Sequence, residues 1–451
     1  MCVLGLALVA VSAFVSPALA GRNLVVGVNE DAVKSRPGIS STANDLGLGY
    51  YRVTQRWEAG RSQPSAADAA SVAAALRNAG SQKVLLSVFG TANAAPVSLS
   101  SRRAYCSFVS SLLDRYPQVT AVNIWNEANL SYFWKPQFSR GKSAAPAAYE
   151  ALMARCYDTI KNRHAAVRVL TSVSPRGNDN PRARSNVSHS PRNFIKKMGQ
   201  AFRHSHRRAR IFDAWGQNVY GASSKERPWA RHRVDIGQGD YSRLLSYLRT
   251  AFAGTRQPVP GQKDVRIWYL EGGFQTSVAA KRSFYGSSET DRSVVPSLGS
   301  PSKPDQASQL TDAVRLAYCQ PAVGAFFNFL LADEPSLRGW QSGVLFSDWT
   351  PKPSYQAFKR VIAEVKSHRV NCAKLKARIK QLGAESQLPS GWCSRGSPCW
   401  CSRSPPCFRA RPQAVAPRLS FSPTSLPGRP GGSTSRSRRA RGTSCASRTR
   451  S

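Results

Sequence analysis

Two glutamates stand where carboxylate chemistry can be done. Each closes a short apolar run: Val122-Asn123-Ile124-Trp125-Asn126-Glu127 and Ile267-Trp268-Tyr269-Leu270-Glu271-Gly272. A pair of carboxyl groups flanking one bond is what glycosidic cleavage needs. One donates a proton to the leaving oxygen, and the other attacks the anomeric carbon or activates water. Mutual repulsion raises the pKa of one member, which stays protonated as the acid while the other is ionised.

The elements that must position this pair are legible from periodicity. Eight runs rich in β-branched and aromatic residues read as buried parallel strands: Leu24–Val28, Tyr50–Thr54, Val84–Phe89, Val119–Trp125, Val167–Val173, Phe212–Tyr220, Val265–Leu270 and Ala325–Leu331. Helical stretches separate them: Ala66–Ala79, Ser101–Tyr116, Ala145–His164, Pro191–His206, Tyr241–Ala253, Asp305–Cys319 and Ser354–Lys366. This alternation predicts an α/β fold, a (β/α)8 TIM barrel forming one catalytic domain over residues 21–375. A doubly wound open sheet is the alternative, but no G-x-G-x-x-G follows the first run and no P-loop occurs. In such a barrel, reactive groups sit at the C-terminal strand ends. Glu127 and Glu271 then lie on the fourth and seventh strands, facing one another across the mouth, and their carboxyls can approach to about 5 Å, the spacing of a retaining pair.

With Asn126-Glu127 after a fourth strand and Glu271-Gly272 after a seventh, the chain from about Asn23 to Lys366 resembles the clan A retaining (β/α)8 glycoside hydrolases. These include the cellulase-like family 5 and the xylosidase-like family 39. The resemblance implies Glu127 as acid/base, Glu271 as nucleophile and Asn126 as a ligand of the sugar 2-hydroxyl. It also implies that Arg52, in the second run, contacts the nucleophile, and that the Tyr220 hydroxyl supports it. Asn218 stands where the clan often has His, and an amide can still bind a hydroxyl. The eighth run lacks the Trp that many members place at its end, so Phe329 or Trp340 is expected as the sugar platform. Asp333 and Glu334 are expected near the mouth as ligands of substrate hydroxyls. Trp57, Trp134 and Trp229 fall on loops after strands and are further subsite candidates, since sugar C–H faces stack on rings. The implied reaction needs no metal and no cofactor.

The net charge is +39, and twelve Arg with no Lys, Asp or Glu lie between Ser386 and Ser451. Removing those twelve leaves +27 for the remainder, so the body is basic in its own right. That field suits an acidic oligo- or polysaccharide; the bland alternative is solubility alone. A nucleic-acid binder is a further alternative, but no interleaving of aromatic and basic residues supports a specific module. His204, His206, Arg207 and Arg208 read as a solvated basic helix end. A catalytically inactive carbohydrate- or cell-wall-binding barrel is the remaining rival; the survival of both glutamates speaks against it.

Residues 1–20 end in Ala18-Leu19-Ala20 and read as a signal peptide, predicting a secreted protein with no membrane attachment after cleavage. An exported chain permits disulfides. Cys106 could pair with Cys156, and Cys319 with Cys372, although spacing does not decide connectivity. Cys399-Trp400-Cys401 lacks zinc-site spacing. Residues 386–451 read as a disordered Arg/Ser/Pro-rich tail. They are either a basic tail or the out-of-frame translation of a GC-rich gene. The abrupt loss of acidic residues favours the second.

Overall fold

The computed structural model describes residues 23–286, 294–299 and 303–385. The expected signal peptide and the expected tail lie outside the described residues. Eight parallel strands close into a barrel: β1 (Val25–Asn29), β2 (Tyr50–Arg56), β3 (Lys83–Phe89), β4 (Ala121–Ile124), β5 (Arg168–Leu170), β6 (Ala214–Asn218), β7 (Arg266–Gly272) and β8 (Val323–Phe329). Each strand pairs with its neighbour in sequence, and β8 returns to β1 with Val25 opposite Ala325. The fold is the (β/α)8 barrel that the eight apolar runs predict.

Nine helices are described: α1 (Ile39–Leu46), α2 (Ala66–Ala79), α3 (Leu99–Arg115), α4 (Ala145–Lys161), α5 (Pro191–His204), α6 (Tyr241–Phe252), α7 (Gln306–Tyr318), α8 (Tyr355–Lys366) and α9 (Cys372–Glu385). Side-chain oxygens start several of them. Ser65 and Asp68 form a reciprocal cap on α2, and Ser98 and Ser190 cap α3 and α5. Each satisfies an amide that the first helical turn leaves without a partner. The sequence reading missed α1 because Ser40, Ser41, Thr42, Asn44 and Asp45 are weak helix formers. Gly38 and Gly47, both with positive φ, delimit that short helix. The reading also stopped before α9, which extends to Glu385.

Side chains alternate between the barrel interior and the helix layer. The interior begins as an apolar plug of Tyr50, Leu85, Ala121, Leu170, Ala214, Trp268 and Phe327. Two residues further along β2, β3 and β4, Tyr50 gives way to Arg52, Leu85 to Ser87 and Ala121 to Asn123, all buried. The upper interior is thus polar where the lower is apolar, and this step places chemistry at the C-terminal strand ends. Gly216 on β6 is required by packing, since a Cβ there would lie 2.0 Å from the Thr171 carbonyl oxygen.

Cys106 on α3 is bonded to Cys156 on α4, and Cys319, just after α7, to Cys372 at the start of α9. Both pairings match the sequence expectation. They close segments 50 and 53 residues apart, for which loop-closure entropy alone contributes about 4 kcal/mol each. Among the described residues, no helix is long and apolar enough to cross a membrane. We predict that Cys106→Ala/Cys156→Ala lowers the unfolding free energy in urea by roughly 2–4 kcal/mol; an unchanged midpoint at unchanged slope would show the bridge to be dispensable.

Candidate active site

Arg52 occupies the centre of the polar layer, only 6% exposed. All five of its N–H groups are used. Nε donates to Asn123 Oδ1 at 3.1 Å, and Nη1 donates to Asn29 Oδ1 at 2.6 Å and Glu271 Oε1 at 2.8 Å. Nη2 donates to Ser87 Oγ at 2.9 Å and Asn126 Oδ1 at 3.0 Å. One guanidinium therefore ties β1, β2, β3 and β7 to the end of β4. Glu271 is held from its other side by the Tyr220 hydroxyl, which donates to Oε2 at 3.1 Å. The nucleophile candidate is clamped on both oxygens, by one cation and one phenol.

Glu127 is presented by an irregular strand end. Trp125 and Glu127 have φ of 62° and 37°, in the left-handed region that non-glycine residues rarely enter. In a regular strand, Asn126 and Glu127 would face opposite ways. The two left-handed residues turn both toward the mouth while the Trp125 indole remains outside. There it packs edge-on with Trp57 and Trp134 at centroid distances of 6.1 and 5.6 Å, and its Nε1 donates to the Phe133 carbonyl at 2.7 Å. This packing holds a backbone that costs of order 1–3 kcal/mol per residue.

Asn126 Oδ1 accepts from both Arg52 and Ser172 Oγ, the latter at 3.1 Å, which leaves its amide nitrogen as the group to meet a ligand. Asn218 Nδ2 donates to Glu127 Oε1 at 2.8 Å. Asn218 thus serves the acid/base candidate directly, from the position where a His was expected. Ser174 lies close enough to Glu127 to favour its charged form. Burial first, and then the Glu271 carboxylate, push the Glu127 carboxyl up from 4.5 to about 7, against the opposing pull of Asn218, Ser174 and Arg52. Burial and Glu271 likewise hold the Tyr220 hydroxyl well above its ordinary range.

An aromatic wall stands beside the pair. The Trp340 ring lies 5.0 Å from Tyr220 and 5.4 Å from Phe329, and Phe329 lies 6.1 Å from Tyr220. Trp340 is half-buried, so both candidate platforms for the missing strand-end Trp are present together.

Four expectations are corrected. Trp57 (2% exposed) and Trp134 (0% exposed) cannot stack on a sugar, because both rings belong to the buried box around Trp125. Asp333 is not available to substrate: Lys352 Nζ and the Gly343 amide occupy Oδ1 at 2.7 and 2.9 Å, and the Tyr285 hydroxyl occupies Oδ2 at 2.7 Å. Glu334 instead holds the loop bearing the platform, accepting from the Trp340 amide at 2.6 Å. Trp229 is half-buried with the Arg227 guanidinium 5.7 Å from its ring centroid. The sequence reading missed Asn29, Ser87, Asn123, Ser172 and Ser174. A signal existed for Ser87 and Asn123, which each follow an inward apolar residue by two positions.

No family model matches the chain, and no curated protein matches it in sequence. Among solved structures it is similar to a GH5_18 protein from Streptomyces cattleya in complex with GlcNAc, with 13% identity, TM-score 0.49, and coverage of 77% of this chain and 81% of that one. It is also similar to a GH2 beta-galacturonidase from Eisenbergiella tayi bound to glycerol, with 11% identity, TM-score 0.42, and coverage of 72% and 46%. A beta-glucuronidase from an uncultured Clostridium sp. gives 11% identity, TM-score 0.44, and coverage of 76% and 50%. The chain matches about half the length of the last two. At these levels the similarity says nothing about the chemistry of this site.

The raised pKa of Glu127 sets a sign for stability. A carboxyl that holds its proton more tightly folded than unfolded contributes fully below about pH 4.5, and that contribution is lost as pH rises through about 7. The loss is on the order of 3 kcal/mol. Glu127→Gln removes it, so the thermal midpoint of the variant should gain on the parent between about pH 5 and about pH 8. A constant difference across that range would contradict the assignment.

Proposed function

We propose that the chain is a retaining glycoside hydrolase acting on β-linked glycans. The observation that carries the proposal is an asymmetry between two buried carboxyls close enough to repel. Glu271 has the direct Arg52 partner at 2.8 Å, while Glu127 has only neutral donors and a raised pKa. The charged member suits the nucleophile and the protonated member suits the acid.

In the first step a Glu271 carboxylate oxygen attacks the anomeric carbon. The Glu127 proton passes to the glycosidic oxygen, which leaves as an alcohol. A glycosyl ester on Glu271 remains. In the second step the Glu127 carboxylate takes a proton from water, whose oxygen attacks the same carbon and releases Glu271. Two inversions leave the anomer unchanged. The Asn126 amide nitrogen is positioned to bind the 2-hydroxyl, a contact that strengthens as the ring carbon gains positive charge. Tyr220 and Arg52 hold Glu271 in line for attack, which lowers the orientational part of the barrier. Trp340 and Phe329 supply the face on which the sugar stacks. Two disulfides support an oxidising destination, and so support export.

The decisive measurement is the anomer first formed from an activated β-aryl glycoside, followed by proton NMR. The β-anomer is expected, with Glu271→Gln folded and without turnover; an initial α-anomer, or retained activity in that variant, would overturn the mechanism. Activity should fall on the alkaline side as Glu127 loses its proton near 7. Trp340→Ala should raise KM by about tenfold, the weight of roughly 1.4 kcal/mol of stacking, with a smaller change in kcat. A drop in kcat alone would remove Trp340 from the binding face.

A further inference from the structure

At the opposite end of the barrel from the two glutamates, the connections entering β6 and β7 form an open groove. It is an open, solvent-filled concavity lined by Arg208, Arg210, Arg256, Gln257, Gln262 and Lys263, with the uncharged Ala209, Thr255 and Pro258 between them. No carboxylate and no aromatic ring is among its lining residues. Arg210 is paired with Asp264 at 3.1 Å. Arg208, Arg256 and Lys263 are exposed, and among the described residues none of them is paired with a carboxylate. Three cations without a direct carboxylate partner thus share this surface with one Arg210–Asp264 pair, an excess of positive charge that favours an anionic ligand.

The groove is built rather than incidental. Gln257, only 3% exposed, staples its two sides. Its Oε1 accepts from the Ile211 amide at 2.7 Å and the Phe212 amide at 3.4 Å, and its Nε2 donates to the Phe212 carbonyl at 3.2 Å and the Pro258 carbonyl at 2.7 Å. Arg207 folds onto the same turn, donating to the Arg210 carbonyl at 2.9 Å while pairing with Asp158. Each side also carries a non-glycine residue in the left-handed region, His206 with φ 51° and Lys263 with φ 51°.

We propose that this groove is an auxiliary binding site for a carboxylate-bearing polysaccharide. Guanidinium forks match carboxylates in paired hydrogen bonds, and a row of them tracks a polymer whose charges repeat. With no ring platform in the groove, neither bases nor sugar faces can stack there, so recognition rests on the charges of the polymer alone. Held at this end of the barrel, the polymer leaves the mouth unobstructed, so binding here is separable from bond cleavage.

The test compares full-length proteins binding to immobilised polygalacturonate at increasing salt. One variant is Arg208→Gln/Arg256→Gln/Lys263→Asn, where Asn tolerates the left-handed backbone at 263. The control is Lys83→Gln/Arg103→Gln/Arg115→Gln, three exposed cations elsewhere. Net charge and the twelve C-terminal Arg are the same in both. The groove variant should lose at least about tenfold in affinity with a shallower salt dependence, and the control should stay within about twofold of the parent. Both should match the parent on a small aryl glycoside, so that failure of the catalytic reading leaves this outcome untouched. Equal losses in the two variants would reduce the effect to diffuse charge and overturn the proposal. So would a parent that ignores polygalacturonate, or a groove variant impaired only toward duplex DNA.

Discussion

The upper half of this barrel depends on one buried guanidinium. Arg52 is removed from water, so each of its five donors must find an acceptor, and each does. Removing one partner leaves a buried donor unsatisfied, at a cost of about 1–3 kcal/mol. Removing the Arg leaves Glu271 as a buried uncompensated charge, at about 3–5 kcal/mol. These penalties make the layer cooperative. Asn29, Ser87, Asn123 and Asn126 are polar because Arg52 is there, and Arg52 is there because Glu271 needs a cation in a site with little water. The catalytic proposal and the packing of the upper interior are therefore one interaction seen from two sides.

The acid/base candidate is governed by different means. Its backbone is bent by two left-handed residues, and the bend is held from outside the barrel by indole packing around Trp125. Trp57 and Trp134 act there as ballast for a strained turn and not as ligands of sugar. Any loosening of that box would release the constraint that turns Glu127 inward, even though no ring in it touches the mouth. Such remote positioning is a common origin of large losses in rate from small displacements.

The barrel was legible because buried parallel strands leave a strong signal: long apolar runs alternating with amphipathic helices. The caps Ser98 and Ser190 emerge only with the structure, which starts α3 at Leu99 where the periodicity places a helix from Ser101. The short helix α1 was hidden because Ser, Thr, Asn and Asp do not announce helix, and tertiary packing of Ile39, Ala43 and Leu46 stabilises it instead. At the site, Glu127 and Glu271 were legible as strand-end carboxylates, and Arg52, Tyr220 and Asn218 through the resemblance; the structure sets Asn218 on Glu127, and Arg52 and Tyr220 on Glu271. The Trp residues were misplaced because loop position alone does not say which face of a loop meets the core. The roles of Asp333 and Glu334 were misread because their partners, Lys352 and the Trp340 amide, come from a loop whose path no local pattern encodes.

That loop also bears on specificity. Lys352 and Asp333 form an ion pair with both side chains wholly buried. Such a pair contributes little net stability, because desolvation offsets most of its attraction. What it supplies is position. Lys352 donates to the Gln341 carbonyl at 3.0 Å, next to Trp340, and to Thr276 Oγ1 at 2.7 Å beyond β7. Glu334 grips Trp340 from the other side. The aromatic face is thereby referenced to the same strand that carries Glu271, although Trp340 lies eleven residues past the end of β8. A ring on a strand end would be fixed by the barrel itself. A ring on a tethered loop moves with the loop and touches the carboxyls only through Tyr220, so under the proposed function this wall is where substrate preference can vary most freely.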